Sequence, residues 1–161
     1  MTLSHLGPDG GARMVDVGGK DVTRREATAE GRVRMSAEAF ALVRSNQVAK
    51  GDVLAVARLA GIQGAKRTAE LIPLCHPLAL DRVDVALTLD EALPGVRVVA
   101  TVATEGRTGV EMEALTAVSI ACLTVYDMVK SADRAMTLEA VRLVHKSGGR
   151  SGDYSAGSRS D

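Results

Sequence analysis

An α+β sandwich is the architecture this sequence predicts, and three observations carry the prediction. Two runs, Arg82 to Leu89 and Gly95 to Thr104, alternate with period two around a Pro94-Gly95 turn and read as a β-hairpin. The stretch from Gly109 to Lys130 carries no charge between Glu113 and Asp127, so as a helix it has no good solvent face and must be buried. Strand-like and helix-like segments also arrive in blocks, which favours α+β over a regularly alternating parallel design.

The elements follow in chain order. Residues 1–12 are rich in Gly and Pro and are expected to form a flexible tail. A single domain occupies 13–152, and the polar residues 153–161 are expected to form a second flexible tail. Thr23 to Val33 mixes small, charged and β-branched residues in rough alternation, as a half-exposed strand does. Ser36 is placed to cap a short helix from Ala37 to Arg44, and Asp52 to cap a longer one over residues 53–71. Gly61 and Gly64 weaken the centre of that helix and permit close packing or a kink. Pro73 and Pro77 hold Leu74-Cys75-His76 extended or turned, because each disfavours helical geometry in the residue before it. Beyond the long helix, Met136 to Lys146 alternates through Val141, Leu143 and His145 and reads as a strand, although Thr137-Leu138-Glu139 could also begin a helix.

Composition excludes several classes of function. The 161 residues carry 20 Lys+Arg against 20 Asp+Glu, so nucleic acid is not the default partner. One Phe, two Tyr and no Trp leave no stacking platform for single strands. No charge-free run reaches the roughly 20 residues of a membrane span, and the N-terminus has no basic region followed by an apolar one, so a cytoplasmic protein is expected. Cys75 and Cys122 lie far apart, which suggests neither a disulfide framework nor a zinc site. Cys75 and His76 could ligate a metal in principle, but adjacent side chains on an extended segment point apart and no second pair is present, so no metal is expected.

Titratable groups concentrate at the ends of the long helix. At ~100° per residue, Asp127 falls about 40° from Glu113, and Lys130 about 60° from Asp127. All three can line one flank, and an Asp one turn from a Lys is a usable acid/base pair as well as a common surface ion pair. Thr108-Gly109-Val110-Glu111 fits a capping box, which competes with a ligand-binding role for Glu111. Glu113 is free of that duty and can accept hydrogen bonds from a ligand, or simply favour the helix dipole. His76 is a potential proton shuttle. Arg25, Lys50, Lys66 and Lys146 recur as cations, and Lys146-Ser147-Gly148-Gly149-Arg150 has the composition of a flexible phosphate-grasping loop without Walker spacing. These residues point to an enzyme with an anionic, phosphorylated small substrate and general acid/base chemistry. Two competitors remain open: a non-catalytic oligomeric module that binds a nucleotide or pterin, and an enzyme using Lys130 or Lys66 as a Schiff-base nucleophile.

Five motifs occur together and in order: Lys50-Gly51-Asp52-Val53-Leu54, Leu71 to Leu78, Gly109 to Ser119, Tyr126-Asp127-Met128 with Lys130, and Lys146-Ser147-Gly148-Gly149. Over roughly Met14 to Gly152 the chain resembles the cyclic pyranopterin monophosphate synthase family of molybdenum cofactor biosynthesis. The resemblance implies a ferredoxin-like α+β fold, an antiparallel sheet packed on helices, assembled as a homohexamer (a trimer of dimers) with sites at subunit boundaries. It implies conversion of 3′,8-cyclo-7,8-dihydroguanosine 5′-triphosphate, supplied by a radical SAM GTP 3′,8-cyclase, into cyclic pyranopterin monophosphate with release of pyrophosphate. Asp127 takes the family's catalytic acid/base position and Lys130 that of its partner. Leu74, Cys75, His76, Met112 and Glu113 match pocket-lining positions, with Glu111 beside them, and Lys50, Lys66, Lys146 and Arg25 match positions that hold phosphates or assist catalysis. No resident cofactor is implied, and whether Mg²⁺ accompanies the triphosphate stays open. Gly64, Val129 and Arg150 depart from the usual Ala, Cys and Lys without removing a titratable catalytic group.

Overall fold

A computed structural model of the chain describes residues 6–157. In chain order it contains β1 (Thr23–Arg34), α1 (Ala37–Arg44), α2 (Val53–Lys66), α3 (Thr68–Leu71), β2 (Arg82–Asp90), β3 (Gly95–Gly106), α4 (Glu111–Val129), β4 (Thr137–Ser147) and β5 (Tyr154–Ser155). The strands form one sheet in the order β2-β3-β1-β4-β5, with every neighbouring pair antiparallel. The α+β class is as the sequence predicts.

One face of the sheet is packed and the other is open. Ala27, Ala29 and Val33 of β1 alternate with half-buried polar residues and meet Val96, Val98, Ala100 and Val102 of β3 in the core. α4 lies on these strands and also packs against α2, bringing Ala114, Ala117, Val118, Ala121, Cys122 and Val125 fully out of solvent. A fully buried Val contributes on the order of 2 kcal/mol relative to exposure, so α4 is a principal source of stability. Its length and composition would suffice to cross a membrane, but here it is the core helix of the domain. On the open face Thr28 and Thr101 share a hydroxyl hydrogen bond of 2.9 Å, flanked by the ion pairs Arg142–Glu30 and Arg82–Glu26.

Local signals in the sequence account for most boundaries. Ser36 Oγ accepts from the Ala39 amide at 3.2 Å, and Asp52 Oδ1 from that of Ala55 at 3.0 Å, which starts α1 and α2. Gly61 and Gly64 serve close packing: a Cβ on Gly61 would lie 3.0 Å from the Ala117 carbonyl oxygen, and one on Gly64 2.8 Å from Ile120 Cγ1.

Four expectations are corrected. The helix expected over residues 53–71 breaks at Arg67 (φ −109°, ψ 12°), and Thr68 Oγ1 donates to the carbonyls of Gly64 and Ala65 in forming the separate turn α3. The hairpin turn comprises residues 91–94 rather than Pro94-Gly95, because Asp90 Oδ1 accepts from the amides of Ala92 and Leu93. In β4, Val144 is bulged out of the ladder, since Leu143 pairs with Ala29 while His145 pairs with Thr28. Val141 and Leu143 therefore face the helices and His145 the open side, so the single face read from the alternation is split. Finally, Tyr154–Ser155, within the segment expected as a tail, adds β5 to β4, and the Ala156 amide donates to the bulged Val144 carbonyl at 2.8 Å.

Gly95 shows how tightly the sheet is closed. A Cβ there would overlap the carbonyl oxygen of Val33 on the neighbouring strand. Gly95→Ala is expected to destabilise the fold by about 2 kcal/mol or more, measured by urea denaturation. An unchanged midpoint would contradict this packing.

Candidate active site

Antiparallel pairing brings the N-terminal end of β1 and the C-terminal ends of β3 and β4 to one edge of the molecule, where α4 begins. Arg25 Nε donates to the Gly106 carbonyl at 3.3 Å across this edge. Lys146, at the end of β4, pairs with Glu111 Oε1 at 3.3 Å and donates to Ser151 Oγ at 2.9 Å. Glu111, Lys146, Arg142, Ser151, Asp153 and Tyr154 line an open cavity of about 880 Å³. The capping box expected for Glu111 is absent. α4 starts at Glu111 itself, Val110 is its N-cap, and no side chain caps it, because the Glu111 carboxylate is turned toward Gly109 and Lys146.

Glu113 is the unusual group here. It is 4% exposed, in the first turn of a helix whose body is core. Burial, and then the neighbouring Glu111 charge, push its carboxyl up to about 7, against a partly opposing hydrogen bond from its own backbone amide. A carboxyl of that affinity exchanges protons near neutral pH. Cys75 lies within reach of this charge: burial, followed by Glu113, raises its thiol above the ordinary value. The segment that carries Leu74, Cys75 and His76 turns after α3, where the Cys75 amide donates to the Ile72 carbonyl, and leaves all three half-buried. It then runs back to β3, where Thr104 Oγ1 donates to the Ala79 carbonyl at 2.6 Å. Met112, beside Glu113, is half-buried.

The other end of α4 carries a separate cluster. Asp127 Oδ1 accepts from Lys130 Nζ at 2.7 Å and Oδ2 from Lys50 Nζ at 2.7 Å, while Lys50 also donates to the Asp127 carbonyl at 2.9 Å. These bonds, that from Lys130 first, hold the Asp127 carboxyl down at about 2. The expected Asp127–Lys130 pairing is present, and Lys50 completes it. Within the single protomer the Asp127 side chain is 56% exposed. The stripe that starts buried at Glu113 emerges into solvent by Asp127, because the last turn of α4 turns only Met128 and Val129 inward.

Asp127 and Glu113 are 14 positions apart, which at about 1.5 Å per residue separates them by roughly 21 Å within one protomer. Lys66 joins neither cluster: it is exposed at the end of α2 and borders a shallow hollow with Leu78 and Leu80. Sequence reasoning missed Arg142, Ser151, Asp153 and Tyr154, all of which line the Lys146 cavity. Asp153 and Tyr154 lay in the presumed tail and Ser151 just before it, where composition gives no periodic signal. Among the described residues no three His, Cys, Asp or Glu side chains gather as a metal site.

The packed α+β domain sets a buried carboxyl in the first turn of α4 and a Glu111–Lys146 pair at the glycine-rich loop, groups of the kind that acid/base enzymes use. The family follows from comparison: the MoaC family model matches residues 14–149, and the chain belongs to that family. It is 61% identical over 154 residues, 96% of this chain and 97% of the relative, to a cyclic pyranopterin monophosphate synthase of Cereibacter sphaeroides. A protein of the same name from Methylobacterium sp. is 60% identical over 155 residues, again covering 96% and 97%. The chain is therefore an enzyme with a role in molybdenum cofactor biosynthesis.

The raised affinity of Glu113 has a defined consequence for stability. The folded protein holds this proton more tightly than the unfolded chain, so the contribution is fully present below about pH 4.5 and is lost as pH rises through about 7. Glu113→Gln stays neutral throughout and should gain on the wild type by about 1–3 kcal/mol between pH 5 and pH 8, read from urea denaturation at both. An equal difference at the two pH values would show that Glu113 is already ionised in the fold.

Proposed function

We propose that the chain converts 3′,8-cyclo-7,8-dihydroguanosine 5′-triphosphate into cyclic pyranopterin monophosphate and pyrophosphate in the cytoplasm, taking its substrate from a radical SAM GTP 3′,8-cyclase. The observation that carries this reading is the Glu111–Lys146 pair, 3.3 Å apart in an open cavity where α4 begins, with the buried carboxyl of Glu113 in the same first turn. The reaction has two chemical demands. Rearranging the purine and ribose requires several proton transfers, which groups with affinities near neutral serve. Closing the cyclic phosphate requires a substrate oxygen to attack the α-phosphorus, form the new P–O bond and expel pyrophosphate, while the hydroxyl proton passes to a base. Lysines offset the negative charge that develops. Mg²⁺ carried on the triphosphate would assist the same neutralisation.

Asp127 and Lys130, with Lys50, supply the second half of the machinery. One substrate reaching both ends of α4 in a single protomer would have to span roughly 21 Å of helix. A homo-oligomer removes the difficulty: the Asp127 end of one protomer faces the Glu113 end of its partner, and the assembly is a hexamer built from dimers. The relatives named as cyclic pyranopterin monophosphate synthases support the reaction, and the separation of the two clusters supports the shared site.

Incubating the purified protein with the cyclised GTP should yield the tricyclic pterin and stoichiometric pyrophosphate. Absence of both would overturn the assignment. Asp127→Asn should leave the fold intact and abolish pyrophosphate release, and Glu113→Gln should lose activity as well. If the two groups come from different protomers, equal mixing of the two inactive variants after subunit exchange restores about one quarter of the wild-type sites in a dimeric unit. Mixed oligomers with no recovered activity would place both groups in one protomer's site.

A further inference from the structure

The inward face of β3 runs Val96, Val98, Ala100, Val102 and then Thr104, a hydroxyl where the alternation calls for another apolar side chain. Thr104 is 2% exposed, and a hydroxyl taken that far out of water costs stability unless it is bonded. Its partner is the Ala79 carbonyl, at 2.6 Å, just beyond Leu74, Cys75 and His76. Valine would fill nearly the same volume, so packing does not account for a threonine here. The bond to Ala79 does.

The segment that carries Cys75 and His76 has few other supports. Pro73 and Pro77 bring no backbone donor. Among the described residues, the backbone of residues 73–79 makes two hydrogen bonds: the Cys75 amide donates to the Ile72 carbonyl, and the Ala79 carbonyl accepts from Thr104. The first is a local turn, and the second ties the segment to another element. Beside it, the Asp81 amide donates to the Ala103 carbonyl at 3.0 Å, and Asp81 Oδ2 accepts from the Glu105 amide at 2.8 Å. Residues 79–81 are thus clamped to residues 103–105, shortly before the chain leaves β3 for the first turn of α4, where Glu111 and Glu113 stand. Cys75 sits close enough to Glu113 for that charge to raise its thiol, after the larger effect of burial.

We propose that Thr104 is a positioning residue: its buried hydroxyl, with Asp81 beside it, holds the Cys75-His76 segment at a fixed distance from the first turn of α4 and so sets one wall of the reaction site. Thr104 acts through Cys75 and His76 rather than on the substrate. That the segment is a wall of the site rests on the function proposed above; that Thr104 holds the segment does not. With the hydroxyl removed, the Ala79 carbonyl would face a methyl group, and Ala79, already exposed, regains a partner by moving out to water. The segment then opens locally while the core beneath it stays packed.

Cys75 is the reporter, because Cys122, the chain's other thiol, is fully buried. The rate at which a small aromatic disulfide labels Cys75 in the native full-length protein reads how firmly the segment is held, and kcat/KM for the cyclised GTP reads what that does to turnover. Well below melting, Thr104→Val should raise the labelling rate at least about five-fold and lower kcat/KM at least about five-fold. Thr104→Ser keeps the hydroxyl and should return both to within about two-fold of the wild type. Thr28→Val, which removes a hydroxyl bond from the open face of the sheet, should leave both unchanged. Should Thr104→Val fail to fold, Asp81→Ala removes the exposed half of the same clamp and should speed labelling in its place. Wild-type labelling in Thr104→Val, or in Asp81→Ala where only that variant folds, overturns the proposal. Equal acceleration by Thr28→Val overturns it as well, and so does faster labelling at unchanged kcat/KM. Faster labelling in Thr104→Val, with no pterin formed by the wild type, would instead keep the clamp and remove the proposed reaction.

Discussion

The burial of α4 between the sheet and α2 determines where every charged group of the site can stand. Its contact surface is made of small residues, Ala114, Ala117 and Ala121, and its neighbours supply glycines: Gly31 beneath it in β1, Gly61 and Gly64 beside it in α2. A Cβ on Gly31 would come 2.7 Å from Val118 Cγ1, so β1 itself is shaped to let the helix down onto the sheet. Backbones this close leave no room for a charged side chain on the packed face of the helix. The charges of α4 stand at its two ends, and its exposed middle position, Leu123, is apolar.

The two ends place similar groups in opposite environments. Glu113 enters the core with the first turn, loses water, and has a second carboxylate, Glu111, nearby; both effects favour the protonated form. Asp127 leaves the core with the last turn and meets two ammonium groups, which favour the ionised form. The same helix thus holds one carboxyl near 7 and one near 2, set by where each sits relative to the core. That divergence separates a group able to exchange protons from one held as an anion at neutral pH.

How much of this was legible in the sequence follows from the kind of signal each feature leaves. The hairpin, the caps at Ser36 and Asp52 and the burial of α4 follow from period and local chemistry, which are short-range. The Asp127–Lys130 pair was legible for the same reason, being one turn apart. Three features were not. The bulge at Val144 reverses the side on which His145 falls, yet it depends on pairing with β1, more than a hundred positions away. The capping box at Thr108 to Glu111 matched its pattern but lost Glu111 to Lys146, a partner on β4. Burial of Glu113 against exposure of Asp127 could not be read from helical angle alone, which places both on one flank; depth in the fold distinguishes them. The resemblance to a known family singled out both carboxyls, but motifs along a chain carry no measure of depth and do not tell which of the two is dry.

The low proton affinity of Asp127 is compatible with a catalytic role because its cause is removable. Hydrogen bonds from Lys130 and Lys50 do most to hold it down, and both lysines are half-exposed, on long side chains free to change partner. A triphosphate entering beside them competes for the same ammonium groups with more charge than one carboxylate offers. Each lysine drawn to phosphate removes a bond that stabilised the Asp127 anion, and a protomer closing over the cluster adds desolvation in the same direction. Both changes raise the affinity of Asp127 for a proton. On the proposed reading, the substrate itself therefore converts a surface ion pair into a base at the moment when the attacking hydroxyl has a proton to lose.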